Sequence, residues 1–167
     1  LSIDKDVDAA GINGSAYKKL VDYFSNYYYV VPFPYDWRRS IFDAADKLNK
    51  SAEKIKKAGM QAGFHNHEFE FATLDGQLIY DALMARFDPD LVKMQFQTEV
   101  INLGYKAADY FKKYPGRFIS AHLSDWTADK KEVPIGQGVI DWKEFFTAAK
   151  TGGVKNFFVE MAPDKFK

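Results

Sequence analysis

Gly59-Met60-Gln61-Ala62-Gly63-Phe64-His65-Asn66-His67-Glu68-Phe69-Glu70-Phe71 is the stretch on which the fold turns. It follows a segment in which Ile41, Ala44, Ala45, Leu48, Ala52, Ile55 and Ala58 recur at three- and four-residue intervals, the period of one helix face. Ser40 stands where an N-cap belongs, and Gly59 where a helix ends. Met60 to Phe64 then predicts a short strand running into the histidines, and Glu68-Phe69-Glu70-Phe71 alternates as a strand does. The unit is a helix, a strand, and polar groups at the strand's end.

The same unit recurs on either side. Upstream, Ala16, Leu20, Val21 and Phe24 mark a short helix, and Tyr27-Tyr28-Tyr29-Val30-Val31 reads as a buried strand stopped by Pro32 and Pro34. Downstream, the pattern predicts a helix over Leu78 to Arg86, a strand over Leu91 to Phe96, a helix over Lys106 to Tyr114 and a strand over Phe118 to Leu123. A helix over Trp142 to Thr151 and a strand over Asn156 to Glu160 complete the series. Asp141 with Glu144 fits an acidic capping box, and Gly152-Gly153 supplies the stop. Five strands alternating with single helices imply an α/β fold with a parallel sheet. In such sheets ligands gather at the carboxyl ends of the strands, where the loops open.

Composition narrows the class. The 167 residues are 47% hydrophobic and 17% aromatic, enough for a globular core. Twenty-three basic residues balance twenty-three acidic ones, so there is no electrostatic footprint for nucleic acid or an anionic membrane. A small neutral molecule or another protein is the expected partner. With no cysteine, disulfides, thiolate nucleophiles and sulfur-held zinc are excluded, and the redox compartment stays open. The longest apolar runs, Tyr27 to Phe33 and Phe157 to Met161, fall far short of the ~20 residues of a membrane helix. The chain reads as soluble, cytoplasmic or periplasmic, and a leader on a longer precursor is compatible with it.

The chemistry-bearing residues lie at the predicted strand ends. On a strand, His65 and His67 leave one face and Asn66 the other. Two imidazoles on one face can ligate a cation or shuttle protons; packed, hydrogen-bonded histidines are the plain alternative. His122 ends the strand Phe118 to Leu123, so all three histidines of the chain fall at strand ends. Glu160 follows Asn156-Phe157-Phe158-Val159, an apolar run expected to be buried, so its carboxylate is expected to pair, ligate metal or rise in pKa. Asp125, Trp126 and Trp142 lie near His122 and Gly136-Gln137-Gly138 in sequence, and aromatic faces suit sugar rings, although tryptophans also fill cores. The letters His-Asn-His match a nuclease motif, but the basic surface that goes with it is missing. Gly136-Gln137-Gly138 lacks the third glycine and the preceding strand of a dinucleotide site, so a loop turn is the better account.

Taken in order, Gly63 to Phe71, Ala121-His122-Leu123-Ser124-Asp125, Gly136 to Trp142 and Phe158-Val159-Glu160 resemble successive blocks of sugar phosphate isomerase/epimerase proteins of the xylose-isomerase-like TIM barrel superfamily. The resemblance runs from Tyr28 onward. It implies a parallel (β/α) TIM-barrel type of fold, with residues 1–167 forming one partial domain, the C-terminal five βα units of an eight-stranded barrel. A whole barrel takes ~250 residues, so strands one to three would be missing. A homo-oligomer or an N-terminal segment would then cover the open sheet edge.

The resemblance also implies a divalent cation (manganese, zinc or magnesium) held at His65, Gln97, His122 and Glu160. Glu160 and His65 would be catalytic, moving a proton between adjacent carbons of a sugar or keto-sugar, and His67, Asp125 and Trp126 would touch the substrate. Two positions depart from the pattern. Gln97 stands in place of an aspartate and His65 in place of a carboxylate, which weakens the site for a hard cation and leaves a His-rich site for zinc, iron or nickel, or none. Lyases and hydratases of sugar derivatives share the fold. A sugar-binding protein with a degenerate metal site is the alternative.

Overall fold

A computed structural model describes residues 41–160, together with 19 and 22. The strand read at Tyr27 to Val31, the cap at Ser40 and most of the helix read at Ala16 to Phe24 lie outside the described residues; Lys19 and Asp22 are helical and exposed. Helix α1 (Ile41–Lys57) turns Ala45 and Ala52 into the core, with Ile41, Leu48 and Ile55 packed beside them. Its last turn carries Lys54, Lys56 and Lys57, which complements the negative end of the helix dipole. Strand β1 (Ala62–His65) follows, then a 3-10 turn (Phe69–Phe71) and a two-strand hairpin of β2 (Thr73–Leu74) and β3 (Gln77–Leu78). The remainder is α2 (Ile79–Arg86), β4 (Val92–Gln97), a 3-10 turn (Thr98–Leu103), α3 (Ala107–Lys113), β5 (Phe118–Leu123), β6 (Asp125–Trp126), β7 (Glu132–Val133), α4 (Trp142–Gly152) and β8 (Asn156–Val159).

Four strands form one parallel sheet in the order β1, β4, β5, β8, each neighbour pair separated in sequence by helical segments. This is the partial parallel barrel expected from the sequence; four of the five expected strands lie among the described residues. The strands' side chains and the helices bury an aromatic core: Tyr80, Phe96, Phe111, Phe118 and Phe145 are all at most 1% exposed. Phe111 meets Phe118 edge-on at 4.8 Å and Phe145 at 5.4 Å, joining α3, β5 and α4. Each ring buried this way contributes about 1.5–3 kcal/mol of transfer free energy, so the sheet with its helices is a stable platform for the loops at its end.

Local signals place the helix ends. Asp141 accepts a hydrogen bond from the Glu144 backbone N–H at 2.9 Å and caps α4. Gly153 ends that helix at φ 87°, in the left-handed region that glycine enters without strain.

Two expectations are corrected. Glu68-Phe69-Glu70-Phe71 is a turn, because the Glu70 carboxylate folds back to accept the His67 backbone N–H at 2.8 Å, while Phe71 stacks on Tyr80 at 4.7 Å. Its Glu/Phe alternation mimics a strand but serves a tight reversal that buries Glu70 and Phe71 and leaves Phe69 exposed. Strand β8, expected to be buried, is exposed along its whole length, with Phe158 and Val159 both 51% exposed. Its apolar composition suits an interior strand, but among the described residues it pairs only with β5 and stands at the sheet edge.

Candidate functional site

The register of the sheet assembles the site. A shift between Met94 and Gln95 lets β5 gain one residue on β4, so that Ser120 faces Gln95 and His122 faces Gln97. On the other side, His122 is level with Phe158, and the Glu160 backbone N–H donates to the Leu123 carbonyl at 2.9 Å, extending the ladder one step beyond β8. His65 closes β1. His65, Gln97, His122 and Glu160 thus stand at or just past the carboxyl ends of four parallel strands.

The side chains converge. Gln97, 2% exposed, donates from Nε2 to Glu160 Oε2 at 2.7 Å. His122 Nδ1 lies 3.1 Å from the same oxygen. The His122 ring in turn sits 4.5 Å from that of His65, which meets His67 edge-on at 4.7 Å. Although β1 stops at His65, the two-residue spacing still brings His65 and His67 together and sends Asn66 elsewhere: fully buried, Asn66 accepts the Gln97 backbone N–H through Oδ1 at 3.1 Å.

Electrostatics divides the ionisable groups. Burial, reinforced by the neighbouring His122 and His67 rings, pushes His65 down to about 4, so at neutral pH it is an uncharged imidazole. For Glu160, burial pushes upward, but the hydrogen bonds from Gln97 and His122 and the histidine charges outweigh it and hold the carboxyl below its ordinary value. The carboxylate pairs, one of the outcomes expected of it, but its side chain is 54% exposed, so it does so at an open rim and not in a buried strand end. Burial and the Glu68 charge push Glu99 up, and burial pushes Glu70 up.

Asp125 has a different place from the one expected of a substrate contact. It is 0% exposed, and its Oδ2 accepts the N–H groups of Gly136 at 2.8 Å and Gly138 at 3.0 Å and the Trp142 indole at 2.9 Å. Oδ1 takes the N–H of Trp126 at 3.0 Å. Gly136-Gln137-Gly138 is therefore a loop wrapped round a carboxylate. A Cβ on Gly138 would fall 2.1 Å from Asp125 Oδ1, so only glycine fits there. Trp142 is tied into this hub, and Trp126 donates its indole N–H to Ser124 Oγ at 3.1 Å.

Sequence reading missed Asn66, Glu70 and Glu99 as parts of this rim, and the Thr98–Ser124 link beneath it. Thr98 Oγ1 donates to the Ser124 carbonyl and accepts the Ser124 N–H, both at 2.8 Å, bracing the ends of β4 and β5. A polar residue directly after each strand was the available signal.

The cation implied by the resemblance does not fit this donor set. Gln97 offers Glu160 an N–H, not its carbonyl oxygen, and Oε2 already faces two nitrogens. Among the described residues no group of three or more His, Asp or Glu is arranged to hold a metal ion.

A parallel α/β sheet with its polar residues at the strand ends fits part of a (β/α) barrel. Solved structures that share this arrangement include sugar phosphate isomerases/epimerases. One from Parabacteroides distasonis superposes with a TM-score of 0.64 at 24% identity, over 75% of this chain and 47% of its own. A second from the same organism gives 0.60 at 26% identity, over 74% and 48%. An L-ribulose 3-epimerase gives 0.55 at 17% identity, over 75% and 42%. The fold is thus the part of a (β/α) barrel that these structures share, and the chain spans about half the length of the first two. No family model and no curated protein matches it.

Proposed function

We propose that this rim moves a proton between adjacent carbons of a sugar or keto-sugar, as an isomerase or epimerase does. The observation that carries the reading is the Glu160 carboxylate, held ionised by Gln97 and His122 where four parallel strands end. An ionised carboxylate at an open rim suits a general base. Glu160 takes the proton from the carbon next to the carbonyl, leaving an enediolate, and returns it on its own face to the neighbouring carbon; inversion at the first carbon needs a proton from a second acid on the opposite face. The neutral His65 imidazole donates to a substrate oxygen as its charge develops. His67, exposed at the mouth of the rim, is placed to meet a sugar hydroxyl. Asp125 shapes the loop beside them and leaves substrate contact to Trp126.

The sugar isomerases and epimerases that share the fold support this reading. The test is proton NMR of D-fructose and L-ribulose incubated with the chain in deuterium oxide. Exchange at the carbon beside the carbonyl is expected, with Glu160→Gln slowing it at least ~100-fold. Ketoses that stay fully protonated with the wild-type chain would overturn the proposal.

A further inference from the structure

We infer that Gln97 and His122 take the place of a divalent cation in this rim, holding the Glu160 carboxylate with N–H groups so that the site works without metal. The inference deepens the proposed function and rests on it for the role of Glu160, but its geometry stands apart.

Glu160 Oε2 is the shared acceptor, 2.7 Å from Gln97 Nε2 and 3.1 Å from His122 Nδ1. A cation binds the same lone pairs that these donors occupy, so cation and donors are alternatives at this oxygen. For Gln97 to become a ligand, its amide must turn over and present Oε1. That breaks a charge-assisted hydrogen bond, the strong kind. It also moves Nε2 to where Oε1 now sits, buried with no hydrogen-bond partner, and exchanges an unpaired acceptor for an unpaired donor.

The surroundings keep the amide where it is. Gln97 is 2% exposed, its backbone N–H is fastened to Asn66 Oδ1 at 3.1 Å, and the next residue, Thr98, is locked to Ser124 on both sides of its hydroxyl. The donor chemistry points the same way. A hard cation such as Mn2+ or Mg2+ is held by several charged oxygens. Of the four rim residues at the strand ends, only Glu160 carries a carboxylate. A buried amide pinned to a carboxylate at the open rim provides two things a cation would: it fixes the position of the oxygen and favours its ionised state.

The deciding experiment is a titration of the chelator-treated chain with Mn2+, followed by electron paramagnetic resonance, and with Zn2+, followed by calorimetry. Wild type is expected to take neither ion stoichiometrically up to about 1 mM. Gln97→Asp, which restores a charged oxygen, is expected to bind Mn2+ at least ~tenfold more tightly than wild type, and adding Glu160→Gln is expected to abolish that gain. One ion per wild-type chain, lost on Glu160→Gln, would overturn the inference, and this comparison stands even if Gln97→Asp fails to fold. Deuterium exchange into the ketose that persists within ~twofold in excess chelator supports the inference, and exchange that needs added metal overturns it. A chain that exchanges nothing would sink the proposed function and leave the cation titration to decide this inference by itself.

Discussion

At the scale of single residues, His65 loses its charge to its surroundings. Its pKa in the folded chain is about 4, against an ordinary 6.5, because burial and two neighbouring imidazoles disfavour the charged ring. Between those values the unfolded chain holds a proton that the folded chain does not, so stability rises with pH across the window. It falls as the solution is acidified from 6.5 towards 4, and below that the contribution has been lost. Glu70 and Glu99, both pushed up, act in the opposite sense, so a variant must isolate the histidine. Urea midpoints measured at pH 7 and pH 5 are expected to differ less in His65→Gln than in wild type; an equal difference would refute the assignment. The pairing of His65 with His67 was legible from a two-residue spacing, which is a property of the chain itself. The neutral state of His65 was not, since it depends first on burial and then on His122, which is distant in sequence.

At the scale of elements, the ends of helix α4 are written in the sequence beside them. Helix α4 begins at Asp141 and ends at Gly153 because a cap and a left-handed glycine are written beside it. The strand ends emerged from runs of β-branched and aromatic residues meeting polar ones. Periodicity misleads where a side-chain bond decides: Glu68 to Phe71 carries a strand's alternation, yet a bond between Glu70 and the His67 backbone, three residues apart, turns it into a reversal. The Asp75-Gly76 turn of the β2–β3 hairpin was a readable signal passed over. The resemblance implies a substrate contact at Asp125; in the fold its buried carboxylate organises Gly136 to Trp142. Asp125→Ala would leave the Gly136, Gly138 and Trp142 N–H groups without their acceptor and is expected to destabilise the chain by about 3 kcal/mol or more. Chemical denaturation measures the loss, and hydrogen exchange at Gly136 and Gly138 locates it. A change below about 1 kcal/mol would show that water replaces the carboxylate without difficulty.

At the scale of the whole molecule, the chain spans about half of the barrels it matches, and the described sheet ends at β1 and β8. Phe157, Phe158 and Val159 lie 39%, 51% and 51% exposed on that second edge, next to Phe146 of α4 at 5.2 Å from Phe157. An apolar, exposed edge strand invites pairing with another chain. The isolated chain is therefore expected to self-associate as its concentration rises, and Phe158→Lys to suppress this in sedimentation velocity; a wild type that stays monomeric throughout would contradict it. The same strand has a further bearing on the chemistry. The Glu160 carboxylate reaches the rim because its own backbone N–H engages Leu123, one rung past Val159. Alternate residues of a strand face opposite ways. Deleting one residue from Gly153-Val154-Lys155 would slide β8 by a step and swing that carboxylate behind the sheet, with every functional side chain still present. Whether this fold variant carries a base is in that sense a matter of counting: a three-residue spacer, by its length alone, decides which way the acid looks.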